Sequence, residues 1–384
     1  MKFTINRQKF TDVLNNVSRA IPGKTTIPIL TGIKIEVNPD GVTLIGSDAD
    51  ISIESFLSNQ DESLQLNIKE QGSIVVGARL FNDIIRKLPT NEILLESDSN
   101  YLLTITSGPA VFTLNGQDGA AYPHLPEIDF ENTVSLPTLA FKEMINHTIF
   151  SASNQESRPI LTGLNLSIHP DYISGVATDS HRLSRREIPV ELNTDLLDLT
   201  NVTIPKKTVT ELVRIVEDDQ KLQMLVNEQQ VIFILENLTI YSRLLEGNYP
   251  DTDRLIPSDH QTQLVVNAND FLAAIERASL MSHQSKNNIV QLSIKDQAVE
   301  LSVSGNERGR ASEDIQLKAV SGQDLLISFN PDYMRDALKS FNGIDIKIDF
   351  QTAVRPMLLS ALDGSDLAHN ELLQLLTPIR THQS

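Results

Sequence analysis

One run of five residues reads Thr178-Asp179-Ser180-His181-Arg182 and contains the three residue types of a hydrolytic triad. An Asp, a Ser and a His serve as orienting group, nucleophile and general base when their side chains converge. Adjacency along the chain does not produce that convergence, because neighbours in an extended segment point to opposite sides. A hydrogen-bonded turn or a ledge beside a groove is therefore favoured for His181 and Arg182. A hydrolase that uses Asp179, Ser180 and His181 stays as an alternative.

Other patterns that carry chemistry are missing from the sequence. It has no phosphate-binding glycine motif, no zinc-protease motif and no nucleophile elbow. It has no Cys, which excludes disulfides, thiolate metal sites and a Cys nucleophile. The eight His residues show no ligand spacing. The sequence thus predicts a protein that is not an enzyme and that holds no metal or cofactor.

The distribution of charge indicates a weak, non-specific contact with nucleic acid. The chain carries 32 basic and 50 acidic residues, a net charge of −18, which disfavours phosphate binding overall. Three predicted helical segments, 7–19, 79–87 and 206–214, nevertheless carry a net charge of +2 each. Their long cationic side chains reach a phosphate backbone without reading bases, and no aromatic residues are interleaved with them to stack on single strands. The predicted target is therefore duplex DNA, held loosely and without sequence preference.

The elements that must position these residues recur three times along the chain. Phe10, Phe141 and Phe271 lie 131 and 130 residues apart, and each opens an amphipathic stretch of helical spacing. The sequence 28–32, Pro-Ile-Leu-Thr-Gly, recurs as 159–163. A second helical stretch also recurs and carries a cation at the same place each time. The sequence therefore predicts three similar domains in a row.

Each repeat predicts an α+β domain in which two helices pack on one face of an antiparallel sheet. Periodicity lapses and Pro and polar residues gather near 123–136 and 250–263, which indicates domains at 1–125, 126–253 and 254–384. Asn330-Pro331 predicts the start of a helix, with Asn as the cap and Pro in the first turn. No apolar run approaches the length of a membrane span and the start lacks a signal peptide's apolar core, so we expect a soluble, cytoplasmic protein.

Five motifs carry a resemblance to a known family. They are Met1-Lys2-Phe3-Thr4-Ile5, Ile27-Pro28-Ile29-Leu30, Thr178 to Leu183, Ser242 to Asp251, and Thr377-Pro378-Ile379-Arg380. Together with the threefold repeat, they make the whole chain resemble the bacterial DNA polymerase III beta subunit, the family of replicative sliding clamps.

The resemblance implies a non-catalytic processivity subunit. Two chains of three domains would join head to tail into a closed six-domain ring around duplex DNA. Helices would line the hole and sheets would form the outer wall. The implied partners are a DNA polymerase III catalytic subunit of alpha or PolC type, the clamp loader, and other polymerases and repair proteins that bear clamp-binding peptides. No membrane and no cofactor are implied.

The resemblance also implies three sets of site residues. The partner-peptide groove between the second and third domains would contain Leu161, Thr178, Ser180, His181, Arg182, Leu183, Pro250, Arg254, Leu255, Asn330, Tyr333, Leu375, Leu376, Thr377, Pro378, Ile379 and Arg380. DNA would be contacted at Lys24, Arg79, Arg86, Gln155, Lys206, Lys207 and Arg214. The dimer joint would bring Phe112 of one chain to Leu280 and Met281 of the other.

The chain departs from the family pattern in four places. Ser180 stands where Gly is usual, and Thr377 where Met is frequent. Pro159-Ile160 replaces a Tyr pair, and four residues extend past Arg380. An adaptor protein whose repeat has no link to DNA stays as a further alternative.

Overall fold

In a computed structural model the chain is described over residues 1–126, 133–190, 199–284, 288–306, 309–362 and 372–380. It divides into two compact units. Unit 1 comprises residues 1–138 and 211–244, and unit 2 comprises residues 139–210 and 245–384. The domain boundaries after residues 125 and 253 stay a prediction.

The described residues form six α-helices and 26 strands. The helices are α1 (Arg7–Val17), α2 (Ala78–Lys87), α3 (Thr138–Thr148), α4 (Lys206–Ile215), α5 (Ala268–Ser282) and α6 (Pro331–Lys339). The first strands are β1 (Lys2–Asn6), β2 (Gly32–Asn38), β3 (Gly41–Ser47), β4 (Ile51–Ser58), β5 (Asn67–Glu70), β6 (Gly72–Gly77), β7 (Glu92–Ser97), β8 (Leu102–Ser107), β9 (Ala110–Asp118), β10 (Val134–Leu136), β11 (Gly163–Ile168), β12 (Tyr172–Thr178) and β13 (Arg182–Pro189). The remaining strands are β14 (Leu199–Pro205), β15 (Leu222–Val226), β16 (Gln230–Ile234), β17 (Leu238–Arg243), β18 (Thr262–Asn267), β19 (Val290–Lys295), β20 (Ala298–Asn306), β21 (Gly309–Asp314), β22 (Ala319–Gly322), β23 (Leu325–Phe329), β24 (Asp345–Phe350), β25 (Met357–Ala361) and β26 (Leu372–Leu376).

Unit 1 is built on antiparallel strands in the order β10-β15-β16-β17-β4-β3-β2-β6-β9-β8-β7-β1-β5. Helix α1 begins after Asn6, whose side chain accepts from the backbone N–H groups of residues 8 and 9 and so caps the helix. Its buried face includes Phe10, which meets Phe3 and Phe81 edge to face with ring centroids 6.3 and 6.2 Å apart. The predicted amphipathic helix is confirmed and begins three residues before Phe10.

Unit 2 contains one sheet in the order β14-β11-β12-β13-β26-β25-β24-β18-β22 and a second in the order β21-β20-β19-β23. Helices α5 and α6 pack against each other. Helix α6 starts as predicted: the Asn330 side chain accepts from the Asp332 N–H at 2.9 Å, and Pro331 is the first helical residue. The repeated 28–32 and 159–163 segments also fold alike, since Pro28–Thr31 and Pro159–Thr162 are both 3-10 helices.

Each unit contains one strand pair that joins two repeats. In unit 1, β4 pairs with β17, with Ser52 opposite Tyr241. In unit 2, β13 pairs with β26, with Leu183 opposite Leu375. Strands β4 and β13 are the third strands after α1 and α3, and β17 and β26 are the third and last strands after α4 and α6. We call these two pairs the junctions of units 1 and 2.

Candidate functional site

An apolar floor lies at the junction of unit 2. It consists of the buried residues Leu161, Val176, Leu183, Tyr249, Leu358 and Leu375. Strand pairing assembles it, because Leu375 lies between Leu183 on β13 and Leu358 on β25. The half-buried Ile160, Ile256 and Leu373 pack against its edge. The result is an apolar surface at which the side chains of a peptide can be buried.

A tight turn forms one side of the floor. The Asp179 carboxylate accepts from the backbone N–H groups of His181 and Arg182 at 2.9 and 3.0 Å. Ser180, between Asp179 and His181, has a φ of 78°, in the left-handed region that favours glycine. This explains the Gly that is usual at this position of the family pattern. The predicted hydrogen-bonded turn is confirmed.

The Arg182 guanidinium is held on all sides. It binds the carboxylates of Asp179 and Asp336 at 3.0 and 2.8 Å. It also donates to the carbonyl oxygen of Phe150 at 2.7 Å. Its carbon Cζ lies 4.5 Å from the centre of the Tyr333 ring, over which it makes a cation–π contact. Arg182 therefore fixes the turn, α6 and the end of the α3 region together at the rim of the floor.

The three triad residue types do not converge. The Asp179 carboxylate faces Arg182, while the His181 ring stacks on Tyr333 with centroids 6.5 Å apart. Ser180 Oγ accepts from Arg158 at 3.2 Å. No base and orienting group reach Ser180 in the arrangement that a nucleophile needs. The hydrolase alternative is therefore wrong for this segment.

The chain end that follows β26 forms a second side of the floor. Thr377 donates to the His181 carbonyl oxygen through its N–H at 2.9 Å and through its hydroxyl at 2.8 Å. Two residues later, the Ile379 N–H donates to the Ser328 carbonyl oxygen at 2.7 Å. Pro378 lies between them half-buried, and Arg380 is exposed.

The other residues expected in the groove have different surroundings. Leu376 packs in a separate core cluster, because neighbours in a strand face opposite sides and Leu375 faces the floor. Pro250, Arg254 and Leu255 are exposed, and Arg254 Nε binds the Asp251 carboxylate at 2.7 Å. Thr178 donates to the Arg182 carbonyl oxygen at 2.6 Å, inside the turn.

Sequence reasoning missed three floor residues: Val176, Tyr249 and Leu358. Two had a signal, since Val176 lies 131 residues after Ile45 and Tyr249 lies inside the motif from Ser242 to Asp251. Leu358 had none, because only the register of β25 against β26 places it. Burial raises the pKa of the Tyr249 hydroxyl.

The residues expected to contact DNA lie on or near helices in both units. Lys24, Arg79, Arg86, Gln155, Lys207 and Arg214 are exposed, and Lys206 is half-buried. Arg86 donates to the Asn15 side chain at 2.6 Å, and Arg214 binds Glu211 at 2.7 Å. Burial, and then the nearby Arg182, lower the pKa of Lys206.

The residues expected at the dimer joint are large apolar side chains, of which Phe112 and Leu280 are exposed. Phe112 on β9 is 41% exposed, and its neighbour Val111 is 60% exposed. On α5 of unit 2, Leu280 is 69% exposed and Met281 is half-buried. Among the described residues, no three acidic or His side chains form a group that could hold a metal ion. In the same part of the chain, no helix is long and apolar enough to cross a membrane.

Comparison with known proteins identifies the family. Three family models match this chain. They describe the N-terminal, central and C-terminal domains of the DNA polymerase III beta subunit, and they match residues 1–126, 135–251 and 253–374. The chain belongs to the DNA polymerase III beta subunit family. It therefore consists of three tandem clamp domains.

Two relatives and their structures agree with this assignment. The chain is 42% identical to the beta sliding clamp of Bacillus subtilis, with 100% of each chain covered, and 41% identical to that of Streptococcus pneumoniae, with 99% of each covered. The crystal structure of the Bacillus subtilis DNA polymerase sliding clamp superimposes with a TM-score of 0.93 and covers 100% of both chains. The beta chain from Streptococcus pneumoniae TIGR4 gives a TM-score of 0.94 at 40% identity and covers 99% of this chain and 100% of that one.

Proposed function

We propose that two copies of the chain form a ring that encircles duplex DNA, and that the floor at the junction of unit 2 tethers the replicative polymerase to it. The chain takes no part in the chemistry of polymerisation. It confers processivity, because a closed ring keeps its partner on the template without tight binding to DNA.

The observation that carries the ring is the repeated pairing of third and last strands. At both junctions a third strand, β4 or β13, pairs with the last strand of the next repeat. The third strand of the last repeat, β21, ends its sheet. In the first repeat, residues 110–115 of β9 pair only with β8 among the described strands. If a second copy of the chain follows the same pairing pattern, its β9 pairs with β21 of the first copy. The reciprocal pair, β9 of the first copy with β21 of the second, closes the ring.

The apolar residues beside these two edges fit such a joint. Phe112 lies on β9 at one edge. Leu280 and Met281 lie on α5, which packs on β21, and Met281 lies against Gly309 at the start of that strand. Their burial in the joint would exclude water from the paired edges.

DNA contact in the ring is made by cations that carry no base preference. Lys24, Arg79, Arg86, Lys206, Lys207 and Arg214, with Gln155, reach phosphates and leave the bases unread. The acidic remainder of the chain disfavours other modes of DNA binding. Sliding is compatible with this arrangement, because each phosphate contact is weak and replaceable.

The floor binds a short peptide that inserts leucine and phenylalanine side chains. The partners are the DNA polymerase III catalytic subunit of alpha or PolC type, the clamp loader, and other polymerases and repair proteins that carry such peptides. A protein that works with these partners is expected in the cytoplasm.

Light scattering after size exclusion tests the ring. The expected mass at micromolar concentration is twice the chain mass of 42.6 kDa. The double substitution Leu280→Asp and Met281→Asp would bury two carboxylates in the joint and should give monomers. The exposed Leu326→Asp on β23 is a control that should stay dimeric. A monomeric wild-type chain, or a dimer that survives the double exchange, would contradict the assigned joint.

A further inference from the structure

The junction of unit 1 repeats the floor of unit 2 position by position. Strand register sets the equivalence, since Ser52 lies opposite Tyr241 as Leu183 lies opposite Leu375. Ile232 pairs with Tyr241 as Leu358 pairs with Leu375. The exit of the last strand is also the same: the Arg243 N–H donates to the Asp50 carbonyl at 2.9 Å, as that of Thr377 does to His181. The repeated Pro-Ile-Leu-Thr-Gly and Tyr-Pro sequences match Leu30 to Leu161 and Tyr122 to Tyr249. The floor of unit 2 thus has equivalents at Leu30, Ile45, Ser52, Tyr122, Ile232 and Tyr241.

In unit 1 these residues fall into two apolar clusters. One contains Leu30, Ile45 and Tyr122, and the other contains Ile232 and Tyr241. The side chain of Leu125 packs against both clusters. In unit 2 the equivalent residues make one cluster. Leu125 therefore lies between the two halves of a cleft, as the anchor side chain of a bound peptide would.

Burial agrees with occupation of the cleft on the side that contains Leu30, Tyr122 and Ile232, which expose 0%, 2% and 1% of their surface. Their equivalents in unit 2, Leu161, Tyr249 and Leu358, expose 4%, 8% and 8%. On the other side, Tyr241 at 7% and the half-buried Ser52 are more exposed than Leu375 at 4% and Leu183 at 2%. A cavity of about 180 Å³ remains beside Leu125, lined also by Ser52, His124 and Tyr241. The cleft is thus covered but not completely filled.

We propose that Leu125 is an internal ligand, which closes a second peptide-type pocket in unit 1 and so limits each chain to one open peptide site. The inference rests on the proposed function of the floor in unit 2. Leu125 is the third residue after Tyr122, and the third residue after Tyr249 in unit 2 is Thr252. Thr252 is not part of the apolar floor cluster, and the nearby Ile256 packs only at the edge. A polar residue there leaves the floor available to a partner.

Calorimetric titration of the full-length protein with a short synthetic peptide that carries adjacent Leu and Phe residues tests the proposal. Wild-type protein should bind one peptide per chain. Leu125→Ala removes the internal ligand and should raise the stoichiometry to two, with the new site weaker because Ser52 replaces Leu183. Leu80→Ala makes the same change at an exposed leucine on α2, outside the cavity lining, and should leave the stoichiometry at one. One peptide per chain with Leu125→Ala would overturn the proposal.

A reciprocal exchange provides a second test. Thr252→Leu supplies unit 2 with the same internal ligand and should weaken peptide binding there by about tenfold, whereas Thr252→Ala should not. Unchanged affinity with Thr252→Leu would count against the equivalence of the two segments.

A peptide-independent measurement separates this inference from the proposed function. The chain has no Cys, so I45C introduces a single thiol beneath Leu125. Its alkylation should accelerate when Leu125→Ala is added, while V176C in unit 2 should react at the same rate with or without that change. If the wild type binds no peptide, the proposed function fails, and alkylation still decides whether Leu125 covers the cleft. An unchanged rate at I45C would overturn the inference.

Discussion

The junctions of the two units have the same backbone and different interiors. In unit 2, the buried Gln374 lies opposite Ser184, and in unit 1 the equivalent pair is Ile240 opposite Ile53. Both isoleucines are fully buried. Apolar packing is not directional, whereas hydrogen bonds fix relative orientation. The junction that carries the open floor is thus the one whose geometry is set by directional bonds.

Gln374 makes its bonds to three different elements. Its carbonyl oxygen accepts from the Ser184 hydroxyl on β13. Its amide donates to the His147 carbonyl oxygen in the last turn of α3 at 2.9 Å, and to the hydroxyl of Ser340 after α6 at 3.0 Å. Helix ends carry unpaired carbonyls, and Gln374 satisfies one of them. The back of the floor is therefore tied to both helices that flank it.

The largest expected effect comes from removing that side chain. Gln374→Leu removes three buried hydrogen bonds, while Ser184 keeps its bond to Ser151 and Ser340 its bond to Ala337. It should lower the free energy of unfolding by about 3 to 4 kcal/mol, since each lost bond costs about 1 kcal/mol. Ile240→Leu at the equivalent place in unit 1 keeps shape and polarity and should cost less than about 1.5 kcal/mol. The chain has no Trp, so urea unfolding followed by circular dichroism is the suitable measurement. Equal losses for the two variants would mean that the bonds of Gln374 add nothing to packing.

The next largest effect concerns the rim. Ile51 in unit 1 is equivalent to Arg182, because both start the paired strand after the turn. Arg182→Ile leaves the Asp179 carboxylate without its cation and leaves Asp336 with only the longer contact to Arg335 at 3.5 Å. It should lower the free energy of unfolding by about 2 to 3 kcal/mol. It should also weaken peptide binding, which isothermal titration would show.

Arg182→Lys is the matched control for charge. It keeps the cation but loses the fork that reaches two carboxylates and a carbonyl, so it should recover only part of both effects. Full recovery by Lys would show that charge alone matters and that the geometry of the guanidinium does not.

The sequence predicted the parts of these junctions that depend on nearby residues. The turn at 179–181 and the cap at Asn330 follow from side chains that bind backbone groups two or three positions away. The repeat predicted three similar domains but not the strand pairs that form the junctions. It could not reveal Gln374 or Leu358, because their role depends on pairing with residues far along the chain, such as Ser184. It also could not show that Leu376 faces away from the floor, since that depends on strand register.

A smaller effect on stability would show whether the turns before β4 and β13 share the same backbone strain. Ala49 and Ser180 occupy equivalent turn positions with φ 82° and 78°. In both turns the preceding Asp, Asp48 or Asp179, accepts from the backbone N–H groups two and three residues after it. Because a non-glycine residue is strained there, Ala49→Gly and Ser180→Gly should each raise the free energy of unfolding, by about 0.5 to 1 kcal/mol. A gain in only one unit, seen as a shift in the urea midpoint, would show that the turns differ in strain.

The smallest effect depends on pH and affects unit 1 alone. Glu54 on β4 is equivalent to Arg185 on β13, which binds Asp253 at 3.0 Å. Burial, and then the neighbouring Glu36, raise the pKa of Glu54. The folded state thus holds the Glu54 proton more tightly than the unfolded state does. The resulting stabilisation is complete below the pKa of the unfolded chain and is lost as pH rises through the raised pKa.

Glu54→Gln should remove this dependence and stabilise the protein slightly at neutral pH, by less than about 1 kcal/mol because the site is partly screened. Thermal unfolding of wild type and Glu54→Gln between mildly acidic and neutral pH measures the difference. A difference that stays constant with pH would mean that Glu54 titrates no differently in the folded chain, and that the two junctions differ in packing but not in charge.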